Sequence, residues 1–193
     1  MTRTLVQIID DEKLHVGARH GGRWTDKEGP HVYCSGYYDS AFKRFVGKRP
    51  RVLEIGLWNG GSLVLWQRYF GDGAKIVGAD IADHGAVANA KGLPGVSVVI
   101  ADAYTSVAAD KLGDEFDIIV DDGPHTAESQ ATAVKLYSAK LSEAGILVVE
   151  DVATDKAIDM MIAAVPAGCT HKVVDLRGPG LPPDNRLFVV RRA

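Results

Sequence analysis

From residue 51 onward, short apolar runs alternate with longer stretches of helical periodicity. The apolar runs are rich in Val and Ile and almost continuous, which is typical of strands covered on both faces of a sheet. They predict strands at 51–55, 75–81, 96–100, 116–120 and 145–150, and two further strands are predicted near the end of the chain at 171–176 and 186–191. The segments between them predict helices at 62–70, 85–91, 105–111, 127–141 and 155–165.

This alternation predicts an α/β fold, because strand–helix–strand units form parallel sheets with right-handed crossovers. The end of the chain departs from the pattern. Only a Gly- and Pro-rich loop at 177–185 separates the last two predicted strands. Strands joined by such a loop are expected to pair antiparallel.

The first fifty residues follow a different pattern. Short helices are predicted at 5–14 and 37–46, on either side of a charged, Gly-rich loop at 17–30. No linker or composition shift splits off a second domain. We therefore divide the chain into an N-terminal helical or lid segment, 1–50, and a main α/β domain, 51–193.

The composition is that of an ordinary single domain. Of the 193 residues 46% are hydrophobic, and the formal net charge of −3 leaves no basic surface of the type that binds nucleic acid. Cys34 and Cys169 are far apart and form no CxxC pair. Neither a zinc site nor a disulfide framework is therefore expected, which is consistent with a reducing compartment.

The chain also lacks the features of a secreted or membrane protein. It opens without a signal-peptide apolar core, and no window approaches the roughly 18 apolar residues that span a bilayer. We expect a soluble, cytoplasmic protein whose partner is a small molecule, with no nucleic acid and no membrane involved. Self-association into a homo-oligomer is left open.

Two predicted strands end abruptly in carboxylates. The run 116–120 leads into Asp121 and Asp122, with His125 shortly after, and the run 145–149 leads into Glu150 and Asp151. Neighbouring parallel strands end at the same edge, where ligands bind. Oxygen ligands suit Mg²⁺ and His suits proton transfer near neutral pH. The alternative is that Asp121 or Asp122 only caps the following helix.

A second group of residues suggests a nucleotide-like cofactor. The first strand runs into a turn with glycines at 56, 60 and 61, which is neither GxGxxG nor a P-loop. The second and third strands end in Asp80 and Asp102. Such acids can accept hydrogen bonds from a ribose or an adenine edge. The alternative is that these residues are ordinary loop residues.

In this order, Glu54-Ile55-Gly56, Asp80, Asp102 and a final antiparallel strand resemble the class I S-adenosylmethionine methyltransferases. The resemblance implies a Rossmann-like, doubly wound sheet of seven strands, mostly parallel with an antiparallel last strand inserted beside its neighbour. It also implies that 51–193 is an S-adenosylmethionine-binding domain.

A narrower resemblance rests on the motifs Thr25-Asp26-Lys27, His31-x-Tyr33, Gly60-Gly61-Ser62-Leu63 with Trp66, Asp121-Asp122-Gly123-Pro124-His125, and Glu150-Asp151. Together they are similar to the Mg-dependent sugar O-methyltransferases of macrolide-type antibiotic pathways and to the cephalosporin-hydroxylase-like group. The resemblance implies that Mg²⁺ is bound by Asp122, Glu150 and Asp151. It implies catalytic roles for His125, as the base, and for Asp122.

The resemblance also implies a set of cofactor contacts, some from the glycine turn and strand ends and some from an N-terminal segment that closes over the cofactor. These predicted contacts are Glu54, Gly56, Gly60, Ser62, Asp80, Asp102, Asp26, His31 and Tyr33. The leading hypothesis is an S-adenosylmethionine- and Mg-dependent O-methyltransferase acting on vicinal hydroxyls of a small molecule, most simply a sugar or glycosylated natural product. The alternatives are a catechol-type O-methyltransferase and a non-catalytic cofactor-binding partner of a tailoring enzyme.

Overall fold

The computed structural model describes residues 3–15 and 22–193. Its seven strands form one sheet with the order β3-β2-β1-β4-β5-β7-β6. The strands are β1 (Arg51–Ile55), β2 (Lys75–Asp80), β3 (Val96–Ile100), β4 (Phe116–Asp121), β5 (Leu141–Val149), β6 (Cys169–Asp175) and β7 (Arg186–Arg192).

The pairing of these strands confirms the predicted fold class. β1 pairs in parallel with β2 and β4, and β2–β3 and β4–β5 are also parallel. β7 lies between β5 and β6 and runs antiparallel to both. The sheet is therefore doubly wound and mostly parallel, with the last strand inserted beside its neighbour.

The α-helices lie near their predicted positions. They are α1 (Leu5–Asp11), α2 (Asp39–Phe42), α3 (Gly61–Phe70), α4 (Ala86–Ala90), α5 (Ser106–Leu112), α6 (Ala127–Tyr137) and α7 (Asp155–Ala164). Part of the predicted loop at 17–30, namely 17–21, lies outside the described residues. Among the described residues, no helix is both long enough and apolar enough to cross a bilayer.

Several predicted boundaries were wrong; among them, α1 ends at Asp11 and not at 14, and α6 ends at Tyr137 and not at 141. The helix predicted at 37–46 is irregular, with a π turn at Cys34–Tyr38, α2, and a 3-10 turn at Lys43–Phe45. β5 begins at Leu141, four residues before the predicted start, and Leu141 pairs with Phe116 across a register shift. The intervening residues are partly exposed and polar, so the apolar run starts later than the strand does.

The core lies on both faces of the sheet, which explains why the central strands β1 and β4 are apolar without alternation. Val52 packs in a cluster with α1 and α3, whereas Leu53 and Ile55 of the same strand pack in a cluster with α5 and α6. Residues of the described N-terminal segment, from Leu5 to Phe45, belong to the first cluster. The N-terminal segment therefore shares its core with the main domain.

Candidate active site

A cavity of about 640 Å³ opens at the carboxyl ends of β1, β2 and β4 and the loop after β3. This is the edge at which open α/β sheets bind ligands. The cavity is lined by Trp24, Thr25, Asp26, Ile55, Gly56, Leu57, Trp58, Ser62, Ala79, Asp80, Ile81, His84, Ala101, Asp102, Ala103, Tyr104, Asp122, Gly123, Pro124, His125 and Ser129.

The floor of the cavity is the glycine turn after β1. Gly56 has a φ of 82°, and its amide donates to the carbonyl of Ala79 at 2.9 Å. A Cβ at this position would lie 1.9 Å from the carbonyl oxygen of Asp122. Glycine is thus required both by the left-handed conformation and by the close approach of two strand ends.

Asp80 and Asp102 lie on the cavity wall, as their strand-end positions predicted. Oδ2 of Asp80 accepts the amides of Leu57 and Trp58 at 2.7 and 3.2 Å, so this carboxylate also holds the glycine turn in shape. Oδ1 of Asp102 accepts the amide of Tyr104 at 3.0 Å. Each carboxylate keeps lone pairs that can accept further hydrogen bonds.

Glu54, predicted as a cofactor contact, is instead fully buried behind the wall of the cavity. Its Oε2 accepts from the Ser62 hydroxyl at 2.7 Å and from the Trp66 indole at 3.1 Å. Gly60, another predicted contact, packs against Ala86 below the turn. Both residues support the turn from beneath, because their positions face α3 and α4 and not the ligand space.

Lys27, which the sequence analysis did not single out as a site residue, crosses the strand ends from the N-terminal segment. Its side chain is fully buried, with Nζ 2.7 Å from Asp122 Oδ2, 2.6 Å from Glu150 Oε2 and 3.3 Å from Glu54 Oε1. Burial opposes the ammonium form, but Asp122, Glu150 and Glu54 outweigh it and raise the pKa of Lys27 well above its ordinary value. Lys27 is therefore a buried cation.

Glu150 is directed toward the protein interior. Its Oε2 accepts a hydrogen bond from Lys27, and its Oε1 accepts one from the Tyr38 hydroxyl. Burial raises the pKa of Glu150 above its ordinary value, Lys27 opposes this rise, and Asp122 and Asp151 add to it. Both carboxylate oxygens of this predicted metal ligand are thus engaged by protein donors.

Asp122, His125 and Asp151 come together at the edge of the cavity, without the third predicted metal ligand Glu150. Their ligand atoms lie within 4.8 Å of one another. The imidazole is between the two carboxylates, with Nδ1 3.3 Å from Asp151 Oδ2 and Nε2 3.7 Å from Asp122 Oδ1. Burial, followed by the charge of Asp122, raises the pKa of Asp151 above its ordinary value. This group could hold a cation.

Both His125 and Asp151 have left-handed backbones, with φ values of 56° and 55°. Non-glycine residues adopt this conformation at a cost, and such residues cluster at functional sites. The N-cap of α6 is Thr126, whose hydroxyl accepts from the amide of Ser129. The alternative that Asp121 or Asp122 serves only as the N-cap of this helix was therefore wrong.

His31 and Tyr33, predicted as cofactor contacts, lie against Asp151 and not in the cavity. The two rings are stacked at 4.8 Å, and the Tyr33 hydroxyl donates to Asp151 Oδ1 at 2.6 Å. His31 Nε2 lies 3.4 Å from Asp151 and from Asp184. Of the predicted N-terminal contacts, Asp26 does line the cavity. Whether this segment moves as a lid stays a prediction.

Tyr104 and Asp121 form a further polar pair that the sequence analysis did not identify. The Tyr104 hydroxyl donates to Asp121 Oδ1 at 2.5 Å, and the ring covers Gly123, where a Cβ would clash with the hydroxyl. Burial raises the pKa of Asp121 to about 7, although the Tyr104 hydrogen bond lowers it. The sequence Asp102-Ala103-Tyr104 contains no pattern from which the hydrogen bond to Asp121 could have been predicted.

Comparison with known proteins agrees with this geometry. A family model described as a methyltransferase domain matches residues 53–152, just over half of the chain. The chain belongs to this methyltransferase family. The match includes the glycine turn, Asp80, Asp102, and the strand ends that carry Asp122 and Glu150.

Among curated proteins, the methyltransferase is similar to 8-demethyl-8-alpha-L-rhamnosyl tetracenomycin-C 2'-O-methyltransferase of Streptomyces olivaceus. The two are 35% identical over 146 residues, which cover 70% of this chain and 36% of the relative. The chain spans about a third of the length of the curated relatives it matches. The resemblance to sugar O-methyltransferases of antibiotic pathways is confirmed.

Among solved structures, the fold is similar to that of MycE methyltransferase from the mycinamycin biosynthetic pathway. In its complex with Mg and SAH, the TM-score is 0.73 at 21% identity, covering 100% of this chain and 55% of that chain. In its complex with Mg, SAH and mycinamycin VI, the TM-score is 0.61 at 26% identity, covering 78% and 39%.

Proposed function

We propose that this methyltransferase binds S-adenosylmethionine in the 640 Å³ cavity and transfers its methyl group to a hydroxyl of a small molecule. The observation that carries the proposal is the position of the Asp122–His125–Asp151 group at the edge of that cavity. It places carboxylates and an imidazole beside the space where an acceptor would meet the cofactor. A binding module without turnover would have no use for this arrangement.

We infer that the acceptor is a sugar or a glycosylated natural product with vicinal hydroxyls. The similar curated proteins are named as O-methyltransferases of 8-demethyl-8-alpha-L-rhamnosyl tetracenomycin-C, of demethylmacrocin and of mycinamicin VI. MycE has been solved with Mg, SAH and mycinamycin VI. These names support the substrate class for this chain, whereas the residues alone do not distinguish a sugar from a catechol.

The cofactor would be held by the glycine turn and the two strand-end acids. Gly56 would let the backbone approach the cofactor, and Asp80 would accept hydrogen bonds from the ribose hydroxyls. Asp102 and Tyr104, in the loop after β3, also line the cavity. Asp26, from the N-terminal segment, would contact the cofactor near the Asp122–His125–Asp151 group.

The described residues fit a hard divalent cation. Asp122 and Asp151 each direct one carboxylate oxygen toward His125, and oxygen ligands of this type suit Mg²⁺. Both oxygens of Glu150 are engaged by Lys27 and Tyr38, so the carboxylates that would hold the cation are those of Asp122 and Asp151. When bound, Mg²⁺ would act as a Lewis acid that lowers the pKa of the acceptor hydroxyl and orients two adjacent oxygens.

His125 would remove the proton from the acceptor hydroxyl. Its side chain is 37% exposed and lines the cavity, so an acceptor can reach it. The carboxylates on either side orient the ring and stabilise the imidazolium that forms. General-base assistance of this type contributes roughly 10²–10⁴ in rate.

Calorimetry with S-adenosylhomocysteine tests cofactor binding, with NAD as the competing ligand. We expect binding of the homocysteine compound, and a preference for NAD would refute the cofactor assignment. Methyl transfer from labelled S-adenosylmethionine to a panel of glycosylated macrolides, free sugars and catechols then tests the acceptor class. Exclusive turnover of catechols would refute the sugar proposal.

The metal and base roles are tested with EDTA and with His125→Asn. Chelation should abolish transfer and Mg²⁺ or Mn²⁺ should restore it. Asn tolerates the left-handed backbone of position 125, so His125→Asn should fold normally and lose about 10²–10⁴ in kcat. Full activity after rigorous chelation, or in His125→Asn, would refute the corresponding role.

A further inference from the structure

The buried ammonium of Lys27 is the feature that the proposed reaction does not yet use. It is 2.6 to 3.3 Å from carboxylates of three neighbouring strands: Glu54 in β1, Asp122 after β4 and Glu150 after β5. Lys27 comes from the N-terminal segment, 95 residues before Asp122 and 123 before Glu150. A single side chain thus joins the edge of the central sheet to the first part of the chain.

A purely structural role would not explain why a lysine is buried at this position. Burying an ion pair costs desolvation that often exceeds the Coulomb gain, and apolar residues of similar volume stabilise a core at least as well. The three carboxylates would, however, repel one another without a cation among them. The burial of Lys27 is therefore better explained by a functional role of the carboxylates that it contacts.

The contacts of Asp122 indicate what that task is. Its Oδ2 accepts from Lys27 at 2.7 Å, whereas its Oδ1 faces the imidazole of His125 at 3.7 Å. The ammonium thereby fixes which oxygen points into the protein and which points to the cavity. Without this bond, the carboxylate could rotate about its terminal torsion, which is intrinsically broad.

We propose that Lys27 is a positioning residue, whose ammonium holds Asp122 in the orientation that directs Oδ1 toward His125 and Asp151 and so prepares this group for a divalent cation. The inference rests on the proposed metal dependence of the reaction. Lys27 itself is not expected to touch cofactor or acceptor, because it does not line the cavity. It is not expected to bind the cation, because an ammonium has no lone pair to offer.

Tyr38 offers a matched control on the same carboxylate network. Its hydroxyl and Lys27 each donate to Glu150, but only Lys27 also donates to Asp122. Both side chains are fully buried. Tyr38→Phe therefore removes a buried hydrogen bond at Glu150 without releasing Asp122, whereas Lys27→Met releases both.

The experiment is calorimetric titration of the cofactor-free full chain with Mn²⁺, together with a separate titration with S-adenosylhomocysteine. Loss of a residue that orients a metal ligand typically weakens metal affinity by about 10–100-fold. We expect Lys27→Met to weaken Mn²⁺ binding at least about tenfold. Tyr38→Phe should stay within about threefold of the unaltered chain, and S-adenosylhomocysteine affinity should change little in either variant.

A charge-preserving variant separates positioning from general destabilisation. Lys27→Arg keeps the positive charge and can donate to both carboxylates, so it should recover Mn²⁺ affinity relative to Lys27→Met. If Lys27→Met does not fold, Lys27→Gln takes its place, with the same expected loss. Circular dichroism and urea unfolding check the fold of each variant.

Three results would overturn the inference. The first is an Mn²⁺ affinity of Lys27→Met or Lys27→Gln within about threefold of that of the unaltered chain. The second is an equal loss of Mn²⁺ affinity in Tyr38→Phe. The third is a parallel loss of S-adenosylhomocysteine affinity in the Lys27 variants. If the unaltered chain itself binds no Mn²⁺, the proposed metal dependence fails, and the inference fails with it. The unaltered chain thus distinguishes failure of the proposed function from failure of the Lys27 assignment.

Discussion

Gly56→Ala is the most direct perturbation of the glycine turn, because the structure gives two separate reasons against a side chain there. The φ of 82° is in the left-handed region. A Cβ would also lie 1.9 Å from the carbonyl oxygen and 2.5 Å from the carbonyl carbon of Asp122. These are backbone atoms, which cannot move away by changing a rotamer.

The expected magnitude follows from these two effects. The left-handed conformation costs a non-glycine residue about 1–2 kcal/mol. Overpacking against fixed neighbours typically costs about 1–3 kcal/mol more. Gly56→Ala should therefore lower the free energy of unfolding by about 2–5 kcal/mol, whereas a native domain typically has about 5–15 kcal/mol. The variant should still fold.

Gly92→Ala is the matched control. Gly92 has the same φ of 82°, but no atom lies within 4 Å of the position that a Cβ would occupy. It should lose only the conformational part, about 1–2 kcal/mol. Urea unfolding measures both losses, and calorimetry with S-adenosylhomocysteine should show at least tenfold weaker binding for Gly56→Ala alone, equivalent to about 1.4 kcal/mol.

Equal destabilisation of the two variants would refute the close approach of β1 and β4 on which this reasoning depends. Unchanged S-adenosylhomocysteine affinity in a folded Gly56→Ala variant would refute the placement of the cofactor on this turn. The two outcomes are independent, because the first concerns the strand ends and the second concerns the ligand.

Three further predictions follow from the contacts of the site. Asp80→Ala should weaken S-adenosylhomocysteine binding at least about tenfold in calorimetry, because it removes the proposed ribose acceptor and the bonds that hold Leu57 and Trp58; unchanged affinity would contradict this role. Thr126→Ala should lower the free energy of unfolding by about 1 kcal/mol in urea, since Thr126 caps α6; a neutral result would contradict the capping assignment. Burial raises the pKa of Asp121 from 3.8 to about 7, so the folded state binds its proton more tightly than the unfolded state, and the stability this contributes is lost as pH rises through that window. In metal-free protein, Asp121→Asn should reduce this decline between the two pKa values, and parallel stability curves for the two proteins would contradict it.

Local sequence patterns were sufficient to predict most of the fold. Each buried strand reads as a continuous Val- and Ile-rich run because the clusters on both faces of the sheet require apolar side chains. The exception is β5, in which residues 142–144, just after the buried Leu141, are partly or fully exposed. These residues lie at a register shift in the pairing of β5 with β4, and no apolar run in the sequence predicts them.

The strand-end rule also located part of the candidate site. Asp80, Asp102, Asp122 and Asp151 lie at or just after the ends of predicted parallel strands, and parallel strands end at one edge, so their convergence could be inferred from the predicted strand order alone. The left-handed backbones of His125 and Asp151 could not be inferred. Neither residue type requires that conformation, and only the surrounding packing imposes it.

The sequence by itself therefore determined the order of elements and the edge at which the chemistry would lie, because both follow from local periodicity and strand topology. Only the tertiary structure decided which carboxylates face the protein interior and which lie beside the cavity. It directs Glu54 and Glu150 inward to Lys27, and it leaves Asp122 and Asp151 beside His125. The physical reason is the sequence separation of these partners. A lysine that meets Asp122 across 95 residues and Glu150 across 123 leaves no local pattern, and only folding brings its charge to them.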